Sequence, residues 1–349
     1  MQSTPSSAAP SRKKTLLSVL ILLALTGVLV LVFKDNWDEI SAALSQLRLW
    51  QVLLVLALGL THPLLEGVCN WIAVRSRMPH YPLRCGLDVS WLGVFGNVAA
   101  FGAGSVPMQM YYLYRCGLPV GPGAGLLTLQ YVSHKCTVLL YASVMLLVQG
   151  QWQWLRGNTT GLLRYLPLAY LIVAGIILIL VALCVSPLVQ KLARRLLSIL
   201  PDTEVWQARR ESWMGQLDAL STESRHLLQD KRRCLTLFAV QTFKLFLLFS
   251  LPYLCLQFMQ LPCELSFWQV QLLAALTLFI SNALPNVAGM GSVEAAFLLV
   301  FTGFLGQGAV MSTLMLYRIA SYYAVFAASV AGFFFAQRRA AAMHPKSEQ

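Results

Sequence analysis

The sequence predicts an all-α polytopic membrane protein: about six full transmembrane helices plus two broken or re-entrant helical hairpins in an inverted repeat. Three observations lead there. Of 349 residues, 57% are hydrophobic and only 11% charged, and the mean hydropathy is +0.65. The apolar residues fall in runs near or above the ~20 residues that a helix needs to cross a bilayer. Two more apolar regions, 86–114 and 268–306, are each interrupted near the middle by Gly, Pro and Asn.

A tail over residues 1–11 is expected to be disordered. Arg12-Lys13-Lys14 then precedes an apolar stretch from Thr15 to Phe33. That stretch is long enough to span and has no small-residue cleavage site, so it reads as an uncleaved first helix rather than a signal peptide. Similar runs follow at about 50–74, 122–149, 165–185, 234–258 and 308–336. With the two interrupted regions they give eight hydrophobic segments in a single membrane domain over 12–340, and 341–349 reads as a second disordered tail.

Basic residues set the expected orientation. Arg12, Lys13 and Lys14 place the N-terminus inside, and Arg75, Arg77 and Arg84 place the loop after 50–74 inside. The 186–233 linker, with Lys191, Arg194, Arg195, Arg209, Arg210, Arg225, Lys231, Arg232 and Arg233, is also inside, as is the C-terminus with Arg338, Arg339 and Lys346. Counting crossings then puts the 150–164 loop outside and makes 86–114 start and end inside. Its second arm, about 104–114, is too short to span, so a re-entrant hairpin is the simplest solution. By the same count 268–306 starts and ends outside. Its arms are long enough in sequence that two full crossings compete with a hairpin.

The two interrupted regions also resemble each other. A shift of 187 residues lays Gly104-Ser105-Val106 on Gly291-Ser292-Val293, Leu118 on Leu305 and Gly121 on Gly308. Repeat 1 is about 86–149 and repeat 2 about 268–336, and charge places them in opposite orientations. Inverted repeats with broken helices are a transporter signature, with the site near the midplane between them. In the linker, Trp206, Trp213, Leu217, Leu220 and Leu227 recur at helical spacing among charges. They suggest short amphipathic helices on an anionic inner leaflet, against the alternative of a solvated connector packed on the membrane domain.

A carboxylate or cation at bilayer depth is costly and is a functional candidate. Glu66, His134, Lys135, Lys244, Glu294 and Arg318 all fall within apolar helices, and cations outnumber carboxylates among them. That balance suits an anionic group such as a lipid phosphate. Arg318 leads because its guanidinium can hold phosphate bidentately and keeps its charge, with Tyr317 and Tyr322 placed to fix its angle. The competing reading is an internal Arg318–Glu294 pair that ties the hairpin to the helix. Lys135 and Lys244 are substrate-facing candidates against snorkelling or pairing. Glu66, beside His62-Pro63, is a candidate for proton coupling, as is Glu294, against a structural partnership with a nearby cation.

The hairpin tips supply a second device. Ser105 and Ser292 follow glycine and are placed to cap the next helix, whose N–H groups attract anions. Gly102, Gly104, Gly289 and Gly291 allow a tight backbone path, or simply close helix packing. Eight cysteines without a CxxC pair read as apolar fillers, with a Cys255–Cys263 bridge unsupported. Walker A, GxSxG and HExxH patterns are lacking, so neither an enzyme nor a cofactor is expected. The net charge of +12 flanks apolar runs, which argues against nucleic acid as a partner.

The segment Pro285-Asn286-Val287-Ala288-Gly289-Met290-Gly291-Ser292-Val293-Glu294 resembles the glycine-rich signature of the lysylphosphatidylglycerol synthase transmembrane family. Leu316-Tyr317-Arg318-Ile319-Ala320-Ser321-Tyr322-Tyr323 resembles the helix that follows it there, and Tyr114-Arg115-Cys116-Gly117-Leu118-Pro119 resembles a motif of the family's first half. The resemblance covers roughly 12–340 and is to the flippase-like module of multiple peptide resistance factor, also found as stand-alone proteins. It implies an integral protein of the cytoplasmic (inner) membrane that moves an anionic phospholipid or lipid-linked anion between leaflets, with both termini cytoplasmic. It carries over Glu294 and Arg318. The chain departs from the family at Pro107-Met108-Gln109 and Ser133-His134-Lys135, where members often carry an arginine and an acidic-basic pair. Membrane lipids are the expected partners, and a homo-oligomer is compatible with the sequence. Two other functions compete: a secondary transporter of a small solute or ion, and a non-transporting scaffold for a lipid-modifying partner.

Overall fold

A computed structural model describes residues 37–148, 153–155, 166–199, 203–282, 284 and 290–342. The expected first helix over 15–33, the N-terminal tail, the C-terminal tail beyond residue 342, most of the 150–164 loop and Gly289 with the preceding hairpin residues lie outside these, while 341–342, expected in the tail, are helical. Every long element among the described residues is helical. In chain order they are α1 (Trp37–Ser45), α2 (Leu49–Val74), α3 (Leu83–Ala99), α4 (Ser105–Arg115), α5 (Val120–Leu147) and α6 (Leu166–Val185). Then come α7 (Pro187–Ser198), α8 (Glu204–Gln229), α9 (Lys231–Phe258), α10 (Phe267–Ser281), α11 (Ser292–Phe301) and α12 (Gln307–Arg318). A π-helical turn, Ile319–Tyr323, joins α12 to α13 (Ala324–Ala342).

Three helical stretches are long and apolar enough to cross a membrane: α2, α9 and the Gln307–Ala342 rod. Tyr170–Val185 and Pro187–Ser198, bent by 99° to each other, make a fourth if taken as one broken span. Helix α5, at 28 residues, is about 42 Å long at 1.5 Å per residue. It has the length but not the apolarity, because Gln130, Ser133, His134 and Lys135 sit on it. Among the described residues the spans are therefore fewer than six. The arms around the glycine-rich break are shorter than the sequence suggests. Helix α10 has 15 residues and α11 has 10, about 22 and 15 Å, against a hydrocarbon core of about 30 Å.

The pairings of one half recur in the other. Helix α2 packs on α3 as α9 packs on α10, and α3 packs on α4 as α10 packs on α11. Helix α4 meets α5 as α11 meets α12. Each hairpin's first arm also lies on the long helix of the other half, α3 on α13 and α10 on α5, while α2 and α9 cross at the centre. The equivalence thus extends one helix beyond each predicted repeat, to α2 and α9. The second hairpin is sunk in protein: Leu272, Leu273 and Leu276 of α10 and Phe297, Val300 and Phe301 of α11 are buried in one cluster with Val310 and Leu314 of α12. A helix apolar on all faces is stable in such surroundings.

At the first hairpin the two backbones touch. A Cβ on Gly104 would lie 2.4 Å from the Gly96 carbonyl oxygen, so no larger residue fits there. The hairpin's exit explains the Arg115-Cys116-Gly117-Leu118-Pro119 motif. Gly117 takes φ +94°, the Leu118 N–H reaches the Leu113 carbonyl at 3.0 Å and the Gly117 N–H reaches that of Tyr114 at 2.9 Å. This is a Schellman stop, with Leu118 buried beneath it and Pro119 barring continuation. Arg115 donates from Nη2 to the Ala340 carbonyl at 2.6 Å, tying the stop to the end of α13.

The linker differs from its expected form. In place of several short helices, α7 and the single 26-residue α8 fill it, and α8 packs along α5 and α6. Buried Glu223 of α8 takes a bidentate grip from Arg77, with Nε–Oε2 3.0 Å and Nη2–Oε1 2.8 Å. Helix α7 keeps an exposed apolar edge, with Leu188, Leu192, Leu196 and, just past its end, Ile199 exposed. No two of the eight cysteines are joined in a disulfide, Cys255 and Cys263 included.

Candidate functional site

Two buried ionic clusters lie on the central helices. The first grows from the start of α11. Gly291 takes φ +91°, a conformation costly for any side-chain-bearing residue. That turn brings Glu294, at the third helical position, back onto its own helix start, where Oε2 accepts the Gly291 N–H at 2.8 Å. The other carboxylate oxygen, Oε1, lies 2.8 Å from Nε of Arg318 at the end of α12. The π-turn that follows sets the Tyr322 ring against the guanidinium, with Cζ 4.4 Å from the ring centre. The two charged side chains are only 8% and 4% exposed, so each is the other's principal compensation.

Neither hairpin serine caps its helix. Glycine holds the cap position in both cases, Gly104 before Ser105 and Gly291 before Ser292, and Glu294 supplies the cap contact on α11. The Ser292 hydroxyl is buried and has no hydrogen-bond partner among the described residues. Tyr317 does not brace Arg318 as expected. Its ring stacks on Phe297 of α11 at 5.8 Å, and Tyr322 alone of the two faces the guanidinium.

The second cluster sits where α2, α5 and α9 meet. Lys244 is fully buried and pairs with Glu66. Its Nζ also donates to Gln241 Oε1 at 2.8 Å and lies 3.4 Å from His134 Nδ1. Gln130 donates to the other Glu66 oxygen, Oε1, at 2.8 Å. Lys244 therefore pairs internally, and it has no room to snorkel. Lys135 points elsewhere: its ammonium contacts Asn282 at the end of α10 and lies 5.0 Å over the Tyr131 ring. This places Lys135 at the tip of the second hairpin, where α10 ends at the break, apart from Lys244.

The clusters are linked through α2. A Cβ on Gly59 would lie 2.1 Å from the Ala320 carbonyl oxygen, so α2 rests directly on the π-turn beside Arg318. Seven residues on, about 10 Å along the helix, is Glu66. Two partners, Gln130 and Gln241, escaped sequence reasoning. Gln130, His134, Gln241 and Lys244 recur three or four residues apart on their helices, as do His62 and Glu66 on α2. Polar residues at helical spacing inside apolar runs were the available signal. Asp88, fully buried on α3, was likewise missed; it accepts from Tyr112 Oη at 2.5 Å and pairs with Arg339 of α13.

The family model described as lysylphosphatidylglycerol synthase TM region matches residues 16–329, most of the chain. The chain belongs to that family. No curated relative matches it. Membership, with the three apolar spanning helices, makes this an integral membrane protein of a lipid-related class. The matched stretch contains both ionic clusters and both hairpins.

Proposed function

We propose that the protein is a flippase-like transporter that carries an anionic phospholipid, or another lipid-linked anion, between leaflets of the cytoplasmic membrane. The two halves are read as an inverted repeat, with hairpins α3–α4 and α10–α11 dipping from opposite faces and the termini inside. One observation carries the proposal. An arginine and a glutamate are buried together at a helix break, beside a π-turn, with the glutamate on a helix too short for a full crossing. Such expense inside an apolar protein is typical of substrate paths.

The pair also sets a condition on mechanism. While Glu294 is ionised, it occupies the edge of Arg318 that a phosphate needs. Protonation of Glu294, or its withdrawal with the α11 start, frees the guanidinium for bidentate phosphate contact. Substrate phosphate and the Glu294 carboxylate then compete for one arginine. Lys135, at the tip of the second hairpin, offers the next cation, and Glu66 with Lys244 a second exchangeable pair. Acyl chains stay in the bilayer.

A second reading has direct support, since the formed Arg318–Glu294 pair is what a purely structural tie requires. Reconstitution into liposomes with fluorescent lipids of several head groups separates the two. Wild type accelerates leaflet exchange of at least one anionic lipid, while folded Arg318→Ala and the charge-swapped Glu294→Arg/Arg318→Glu pair do not. Full activity in the swapped protein means the pair is structural. No acceleration by wild type for any lipid defeats the transporter reading.

A further inference from the structure

The α2–α9 seam ends in a cavity of about 480 Å³ that none of the residues discussed for transport lines. Its walls are Trp71, Ile72 and Arg75 from the end of α2, and Asp230, Arg232, Arg233 and Thr236 from the start of α9. Its volume is within the roughly 300–1,000 Å³ of small-molecule sites. Three guanidiniums face one carboxylate. That carboxylate is already engaged within its own turn: Asp230 accepts the Arg233 N–H at 3.0 Å and lies 3.5 Å from the Arg233 guanidinium. Arg75 and Arg232 have no carboxylate in salt-bridge range among the described residues.

Arg75 is held in place before any ligand arrives. Its Nε donates to the Pro79 carbonyl at 3.0 Å, and its Cζ lies 4.9 Å over the Trp71 ring. The Nη edge is left for a ligand. The N-terminus of α9 adds its positive dipole end to the same space. Depth selects the source of the anion. Both walls are ends of helices long and apolar enough to cross a membrane, which puts the cavity at head-group level. Beside it, Leu235 is 70% exposed, so an apolar outer surface begins where the basic walls stop.

We propose that this cavity binds the phosphate of an anionic phospholipid, held between Arg75, Arg232 and Arg233, as the vestibule of the transport path. The vestibule role rests on the transporter reading; the binding does not. Along α2, Arg75 is nine residues from Glu66, and Arg233 is eleven from Lys244 on α9. These are separations of about 13 and 16 Å. A head group released from the vestibule would next meet the Glu66–Lys244 cluster.

The test uses the full chain in detergent and native mass spectrometry with dioctanoyl phosphatidylglycerol, against dioctanoyl phosphatidylcholine, glycerol phosphate and inorganic phosphate. Arg232 is exposed, so Arg232→Gln should fold normally. It and Arg75→Gln/Arg232→Gln should each bind the anionic lipid more weakly, the double variant by about tenfold or more. Equal binding by wild type and the double variant overturns the proposal. So does glycerol or inorganic phosphate displacing the lipid at equal concentration, which would make the site one for soluble anions. Loss of binding with wild-type exchange rates in liposomes removes the vestibule role, and binding without exchange in any protein counts against the transporter reading alone.

Discussion

Replacing Glu66 with leucine strands Lys244. The lysine is 0% exposed, and its remaining neighbours, Gln241 and His134, carry no negative charge. Removing the partner of a buried charge costs about 3–5 kcal/mol. The reverse change is milder. Lys244→Met removes the buried cation and leaves Glu66, which is 28% exposed and still accepts from Gln130. A carboxylate that is partly exposed and keeps one donor should cost about 1–2 kcal/mol. The double variant Glu66→Leu/Lys244→Met removes both charges and should return to within about 1 kcal/mol of wild type, because a buried pair and an apolar pair of similar size are nearly equivalent. The coupling in the double-mutant cycle is then at least about 2 kcal/mol, beyond the scatter of independent sites. Reversible unfolding in mixed detergent, read by tryptophan fluorescence, measures all three. Equal losses in the two single variants, or a double variant as unstable as Glu66→Leu, would show that the cluster is not held by this pair.

Other outcomes follow from single contacts. Tyr322→Phe should leave Arg318 in place, whereas Tyr322→Leu should cost about 0.5–2 kcal/mol through the lost ring face, measured in the same unfolding assay. Gly104→Leu should prevent folding because its Cβ has 2.4 Å of space, while Gly121→Ala, with nothing within 4 Å, should match wild type in yield and melting temperature. Arg77→Ala leaves Glu223 buried without its bidentate donor, so protease cleavage within α8 should become faster, and Glu223→Gln should protect most of the lost resistance. A spin label at position 192 of α7 should report a lipid-like depth in vesicles with anionic head groups and an aqueous one if the helix stands clear of the membrane.

The main spanning helices were legible because hydropathy alone fixes them: 50–74 against Leu49–Val74, and 234–258 against Lys231–Phe258. The broken regions were legible as breaks, since Gly, Pro and Asn cannot continue a helix cheaply wherever they sit. Arm length was less so, because the residues on both sides of the break are equally apolar and only backbone geometry says where the helix resumes. Arg318 and Glu294 stood out by burial cost and do meet. Their environment did not stand out: Gly291's positive φ moved the cap from Ser292 to Glu294, and a ring stack on Phe297 turned Tyr317 away. The Lys244 partners lay on three separate helices, and a linear pattern gives spacing on each helix but not which faces converge. The long α8 was obscured because its apolar residues, spread among charges, fit either a membrane surface or a protein one.

The five π-helical residues Ile319–Tyr323 contain one amino acid more than an α-helical turn accommodates. Such a surplus is a phase difference: the stretch before it and the stretch after it are out of step by about 100°, one residue's rotation. If the surplus migrates a single position toward the N-terminus, the Arg318 side chain changes bearing by that angle while α13 stays where it is. The backbone trades one carbonyl acceptor for its neighbour, so little hydrogen bonding is lost on the way. A side chain carried on such a swivel can leave one partner and face another without any tilt of the surrounding bundle.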